Sequence, residues 1–232
     1  MAGRRRSIDE VALAERQALG EFARDDPLWP GQLALAAIIA LSLALPERLT
    51  VGPTWLVAAA QAVGLTGLIV AIPRRNPRYT RRRRDFALAL LGLVSATYLA
   101  SLWLLVHYLV KGGQAGGHQL ISAGVLLWVD NVLLFAIWYW LLDREGPLPH
   151  EDADVRPDFL FPDMTDEGRK LYPDWSPNFF DYLFLSLTNA SAFSPTDTLP
   201  LTRLARFTMG VQSVASLVTV GVVLARAVNI LR

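Results

Sequence analysis

Apolar residues in this chain are gathered into long runs and do not alternate with polar ones. One run extends from about Trp29 to Leu45 and stops at Pro46, and a second from about Pro53 to Ile72 and stops at Pro73. A third covers about Phe86 to Val110 and a fourth about Gln119 to Leu142. Runs of roughly 17 to 25 residues are what an α-helix needs to cross about 30 Å of hydrocarbon at ~1.5 Å per residue. A spanning β-barrel would instead show alternation. Further on, Asn178 to Ser194 is a short apolar segment and Leu201 to Leu231 a long one. At ~1.5 Å per residue the last run is about 46 Å, so that helix must tilt or protrude. The pattern predicts an all-α polytopic transmembrane helix bundle of about six spans, or five plus a re-entrant segment if residues 178–194 do not cross.

Charge turns these runs into a topology. Between the second and third lies a stretch with seven arginines in eleven residues: Arg74, Arg75, Arg78 and Arg81 through Arg84. Arginine clustered beside a span is retained in the cytoplasm, which makes the first two runs an in-to-out-to-in hairpin with a cytoplasmic amino terminus. The cluster also has the chemistry of an anionic-lipid site, but retention alone accounts for it. Trp55, Trp103 and Tyr108 fall near the expected outer interface, and Trp29, Trp138, Tyr139 and Trp140 near the inner one. Counting Lys and Arg over six spans gives eighteen inside and four outside, and the total is unchanged if residues 178–194 are re-entrant. Charge therefore leaves the topology of the last third open.

Composition agrees with burial in lipid: 53% of the 232 residues are hydrophobic, more than an ordinary globular surface tolerates. The net charge of +1 gives no reason to expect nucleic acid as a partner, and the absence of cysteine removes disulfides, thiolate metal sites and cysteine nucleophiles. Arg4, Arg5 and Arg6 imitate the start of a signal peptide, yet Asp9, Glu10, Glu15 and Arg16 follow where its apolar core should be, so no cleaved signal is expected. Residues 7–24 read instead as a surface-lying amphipathic helix opened by a Ser7–Glu10 capping box, with Ile8, Val11, Ala18 and Phe22 on one face. The chain thus divides into a cytoplasmic amphipathic segment (1–27), a four-span bundle (28–142), an acidic cytoplasmic loop (143–177) and a carboxy-terminal short segment plus long helix (178–232). That loop holds ten acidic residues, four basic ones and six prolines.

Polar residues within the apolar runs are the candidates for function, because an unpaired amide or carboxyl in hydrocarbon costs several kcal/mol. Asp130 and Asn131 lie near the middle of the fourth run, and Asp130 is the acid set most deeply in apolar sequence. It reads either as a proton or cation site or as a neutral buried carboxyl hydrogen-bonded to Gln61, His107 or a serine. Gln61 reads as interhelical glue, and His107 as a snorkelling interface residue. In the last run Thr208, Gln212, Ser216, Thr219 and Arg226 share one helical stripe. Such a stripe either lines water or forms a packing seam, with Gly221 and Ala225 beside it. His150, Glu151, Asp152 and Asp154 are metal-capable, but without the spacing of a known site, so no metal is assigned.

The stretch from Asp181 to Asp197, followed by Pro200, Arg206 and the Ala225-Arg-Ala-Val-Asn229 end, resembles a family of bacterial polytopic membrane proteins without an established activity. The resemblance implies four spans, a hydrophilic loop, a short segment and a final helix. More remotely, the last ~50 residues resemble a potassium-channel pore module, with Asp181, Phe184, Ser186 and Asp197 at matching positions. The filter's Gly-Tyr-Gly is replaced by Ser194, Pro195 and Thr196. A filter of stacked carbonyls needs glycine's freedom, which proline lacks. In the same module the pore helix enters from outside, whereas the preceding loop here is cytoplasmic by parity.

The function expected is transport or channel-like ion permeation without a potassium-selective filter, with Asp130 and the last-helix stripe as pathway residues. The alternative is a scaffold that docks partners through its acidic loop. No His-Glu-x-x-His or Gly-x-Ser-x-Gly motif is present, so neither an enzyme nor a cofactor is expected. The partners expected are the lipid bilayer, an ion and a second copy of the chain.

Overall fold

The computed structural model describes residues 28–71, 77–111, 117–143, 157–173, 175–191 and 198–230. The expected amphipathic segment at 7–24, Arg74 and Arg75, the metal-capable group at 150–154 and the filter-like turn Ser194 to Asp197 lie outside these residues.

Seven helices account for most of the fold. They are α1 (Trp29–Ala44), α2 (Thr54–Thr66, continued by a π-helical turn over Gly67–Ala71), α3 (Pro77–Val110), α4 (Gly117–Leu142), α5 (Asp166–Leu171), α6 (Phe179–Ser191) and α7 (Arg203–Ile230). Among the described residues three stretches, Arg82–Val110, Gln119–Leu142 and Arg203–Arg226, are long and apolar enough to cross a membrane. The apolar helices α1 and α2 are shorter. The helix α3 begins nine residues before the apolar run that predicted it, because arginine is a good helix former and carries the helix out of the apolar stretch. α1 stops where Leu45 is driven into extended backbone by the following Pro46, and Gly52 takes a φ of 86° in the turn to α2.

Helices α1 to α4 alternate in direction. The start of α1, the end of α2, the start of α3 and the end of α4 share one end of the bundle, where Leu28, Leu68, Ala87 and Trp140 line a common crevice. This is the arginine end, since Arg82 to Arg84 belong to the start of α3. At the far end Arg48, between α1 and α2, donates to the Tyr108 hydroxyl near the end of α3 at 3.2 Å.

Gly31 and Gly124 are among the glycines that set how closely helices cross. A Cβ added at Gly31 would lie 2.6 Å from the Trp140 ring, and one at Gly124 would lie 2.2 Å from Val223 of α7. Association of apolar helices relies on such close approach. Gly221 and Ala225, expected beside the seam, are exposed, and a Cβ at Gly221 would meet nothing within 4 Å. The seam of α7 is formed instead by Ala205, Met209, Gln212, Ala215, Ser216, Thr219 and Val222, all buried.

The acidic loop folds back onto the arginine end. Asp143, which follows α4 and is fully buried, accepts the Asp158 amide on Oδ1 at 2.9 Å and the Tyr182 hydroxyl on Oδ2 at 2.8 Å. Asp158 in turn accepts the Thr202 hydroxyl. Beside them a two-residue antiparallel pair forms between β1 (Phe159–Leu160) and β2 (Leu199–Pro200), with Phe159 opposite Pro200. Phe159, Phe161, Tyr182, Trp175 and Tyr139 stack edge-on or tilted over this end, with ring centroids 5.2 to 6.3 Å apart. Tyr139 and Trp140 are therefore core residues, not members of an interfacial belt.

These contacts fix both ends of α6. It starts in a capping box, in which Asn178 Oδ1 accepts the Phe180 amide at 2.9 Å and Asp181 Oδ2 accepts the Asn178 amide at 2.7 Å. Phe179 packs on Trp140 at the arginine end. The helix then runs antiparallel to α4, and near its tip the carbonyl of Ala190 accepts from Ser216, which itself accepts from Trp128, fourteen residues above Leu142 in α4. By Leu199 the chain is back beside Phe159, and α7 sets out from the arginine end parallel to α6.

The clash at Gly124 and the open space at Gly221 give a paired prediction. Gly124→Ala lowers stability by about 1–3 kcal/mol through overpacking against Val223. Gly221→Ala, on an open face, leaves stability unchanged or raises it by up to ~1 kcal/mol through helix propensity. Thermal melts of the purified variants in detergent read the difference.

Candidate functional site

Two polar clusters lie inside the bundle, and they differ in one respect: one has its hydrogen bonds satisfied and the other does not. The first joins α4, α6 and α7. Gln212 Oε1 accepts from the Tyr139 hydroxyl and from Asn189 Nδ2, the latter at 2.7 Å. Gln212 Nε2 donates to Ser186 Oγ at 2.7 Å and to the Ser186 carbonyl at 2.9 Å. The Ser186 hydroxyl donates to the Val132 carbonyl at 2.7 Å, and Ser213 donates to Asn189 Oδ1 at 3.1 Å. Every polar atom of the Gln212 amide is used, which makes this cluster a seam.

The last-helix stripe belongs to that seam. Gln212, Ser216 and Thr219 are buried, and Thr219 donates to the Ala215 carbonyl of its own helix. Thr208 donates back to Leu204 and Ala205. Of the two readings open for the stripe, packing is the one its contacts support. Asn189 and Tyr139 escaped the sequence reading, since nothing in their local pattern separates them from an ordinary polar turn and an interfacial aromatic.

The second cluster lines a cleft between α1, α2, α3 and α4. Asp130 is among its lining residues, about 20 Å from either end of α4 at ~1.5 Å per residue. Gln61 of α2 and Thr97, Tyr98 and Ser101 of α3 line it with Asp130, and Thr50 and Val51 of the α1–α2 connection border it at the far end. Val51 is largely exposed, so the cleft opens at the far end. Its water-occupiable volume is about 30 Å³, room for about two water molecules.

Asp130 is 5% exposed and Gln61 1% exposed, yet Asp130 Oδ1 and Gln61 Oε1 accept no hydrogen bond. None of the partners expected for Asp130 is bonded to it. Gln61 donates through Nε2 to Thr97 Oγ1 at 3.0 Å, so it does join α2 to α3, but with one end only. His107 stacks on Trp103, with centroids 4.9 Å apart. Asn131 sits behind the cleft, donating to the Tyr98 hydroxyl at 3.0 Å while its own Oδ1 stays unpaired. Buried acceptors left open are rare, because each forfeits about 1–3 kcal/mol. Two such acceptors, unbonded by the protein, belong to residues lining one small cavity with room for a water or an ion.

Among the described residues no group of three or more His, Cys, Asp or Glu gathers as a metal site. Compared with known proteins, the chain matches no family model, no curated protein and no solved structure.

The two clusters respond oppositely to substitution. Gln212→Leu orphans partners on three helices and lowers stability by about 2–4 kcal/mol. Asp130→Asn breaks no hydrogen bond and changes stability by under about 1 kcal/mol. Denaturation of both variants in detergent, followed by tryptophan fluorescence, distinguishes a seam from a site.

Proposed function

We propose that this chain is a multi-pass cell-membrane protein of the transport or channel-like permeation class, with Asp130 as the residue that meets the permeating ion or proton. The observation that carries this reading is the open carboxylate oxygen of Asp130 in a cleft that reaches the far end of the bundle. A carboxylate set mid-helix among apolar neighbours needs a countercharge or a proton, and in membrane proteins such a residue ordinarily faces a pathway. The scaffold alternative draws less support, because Phe159 and Phe161 of the acidic loop are buried against the bundle.

The proposed topology is five spans plus a re-entrant α6, with the amino terminus and the arginine end in the cytoplasm. Supporting it are the bonds that tie Thr202 to Asp158 and Asp158 to Asp143, so that α6 and α7 start at the same end. Arg203 and Arg206 are then cytoplasmic and the carboxyl terminus external. The order of spanning helix, half-helix, return and spanning helix is that of a pore module, entered here from the arginine side. With Ser194, Pro195 and Thr196 at the filter position, no potassium filter is proposed.

Two measurements test these proposals. A reporter fused after Arg232 is active on the external face; activity on the cytoplasmic face would restore six spans. In proteoliposomes the wild-type protein dissipates an imposed proton or alkali-cation gradient, Asp130→Asn slows this at least about tenfold, a transition-state difference of ~1.4 kcal/mol, and Gly221→Ala does not. Leakage equal to that of empty liposomes refutes the permeation reading.

A further inference from the structure

The cleft is built to present oxygen. Thr97 donates its hydroxyl proton to the Val94 carbonyl at 2.8 Å, which leaves Thr97 Oγ1 as an acceptor for Gln61 Nε2 at 3.0 Å. That relay fixes the orientation of the Gln61 amide: its nitrogen is committed to α3, and its oxygen is the atom left buried and open. An amide turned the other way would offer the cleft two N–H donors suited to an anion. Asp130 offers a second open oxygen, and Thr97, Tyr98 and Ser101 of α3 are lining residues as well. No lysine, arginine or histidine is among the residues that line the cleft.

Resting on the permeation reading above, we infer that the cleft binds one small monovalent cation, coordinated by Asp130 Oδ1 and Gln61 Oε1. An all-oxygen set with no imidazole or thiolate selects a hard cation. One carboxylate balances one positive charge, whereas a divalent ion would leave net charge buried in a low-dielectric site. The volume of about 30 Å³ admits an ion with a water or two and excludes an organic substrate. A proton on Asp130 would neutralise the carboxyl but leave the cavity unfilled; a cation balances the charge and fills it. The occupant is thereby an alkali ion, and the proton is its competitor.

The test uses the purified full-length protein in detergent, with no gradient and no flux. Melting temperatures are compared in sodium chloride, potassium chloride and choline chloride at equal ionic strength. Ligand bound only by the folded state raises stability by mass action, so sodium or potassium raises the melting temperature by about 3 °C or more over choline. Asp130→Asn and Gln61→Leu each abolish that increment, and Gly221→Ala keeps it. Equal melting in all three salts, or a larger increment with magnesium chloride, overturns the inference. So does an increment that survives in Gln61→Leu, a variant independent of any folding defect in Asp130→Asn. Proton flux in proteoliposomes without cation protection in detergent would remove this inference and leave the permeation reading standing.

Discussion

The arrangement of the carboxy-terminal third depends on the buried carboxylate of Asp143. Its two oxygens take hydrogen bonds from groups fifteen and thirty-nine residues further along the chain, the Asp158 amide and the Tyr182 hydroxyl. Charge-assisted bonds of this kind are among the stronger that a protein makes, and these two bring a long acidic loop and a half-length helix to the foot of α4. Through Asp158 the same carboxylate reaches Thr202, so the start of α7 is placed by it as well. Once α6 and α7 leave from that point, the Gln212 seam falls into register: Ser186 meets Gln212, and Ala190 meets Ser216.

The interior therefore has two kinds of polar surface. Around Gln212 donors and acceptors are matched atom for atom, which gives helices without a hydrophobic drive between them a specific way to associate. Around Asp130 the match is withheld. The relay from Gln61 to Thr97 to Val94 shows that the shortfall is not simple neglect, since the donors of both side chains are spent on α3 while Gln61 Oε1 and Asp130 Oδ1 take no bond from the protein. Stability gathered in one half of the bundle allows the other half to keep an unsatisfied site.

Much of the helical content was legible in the sequence, because apolar run length and proline stops are local properties. The fourth run, Gln119 to Leu142, coincides with the apolar stretch of α4, and the polar positions Asp130, Gln61, Gln212, Ser216 and Thr219 were all singled out from their apolar surroundings. The sorting of those positions into seam and site was not legible, because it depends on which atoms of neighbouring helices are already engaged. Asp181 illustrates the limit: in sequence it falls at a position matching a pore helix, and in the fold it closes the capping box of α6. The course of the chain around α6 was hidden for a different reason. It is set by Asp143, Asp158 and Thr202, three ordinary polar residues in loops, whose meeting is a long-range event.

Three consecutive aromatic residues on α4 have a further mechanical meaning. Trp138 donates to Ser95 of α3, Tyr139 to Gln212 of α7, and Trp140 packs on Gly31 of α1 and Phe179 of α6. Successive residues on a helix point about 100° apart, so these three side chains bolt α4 to its surroundings on every side. The helix that carries Asp130 is thereby held to α1, α3, α6 and α7, and α2 is the cleft wall to which none of these three contacts runs.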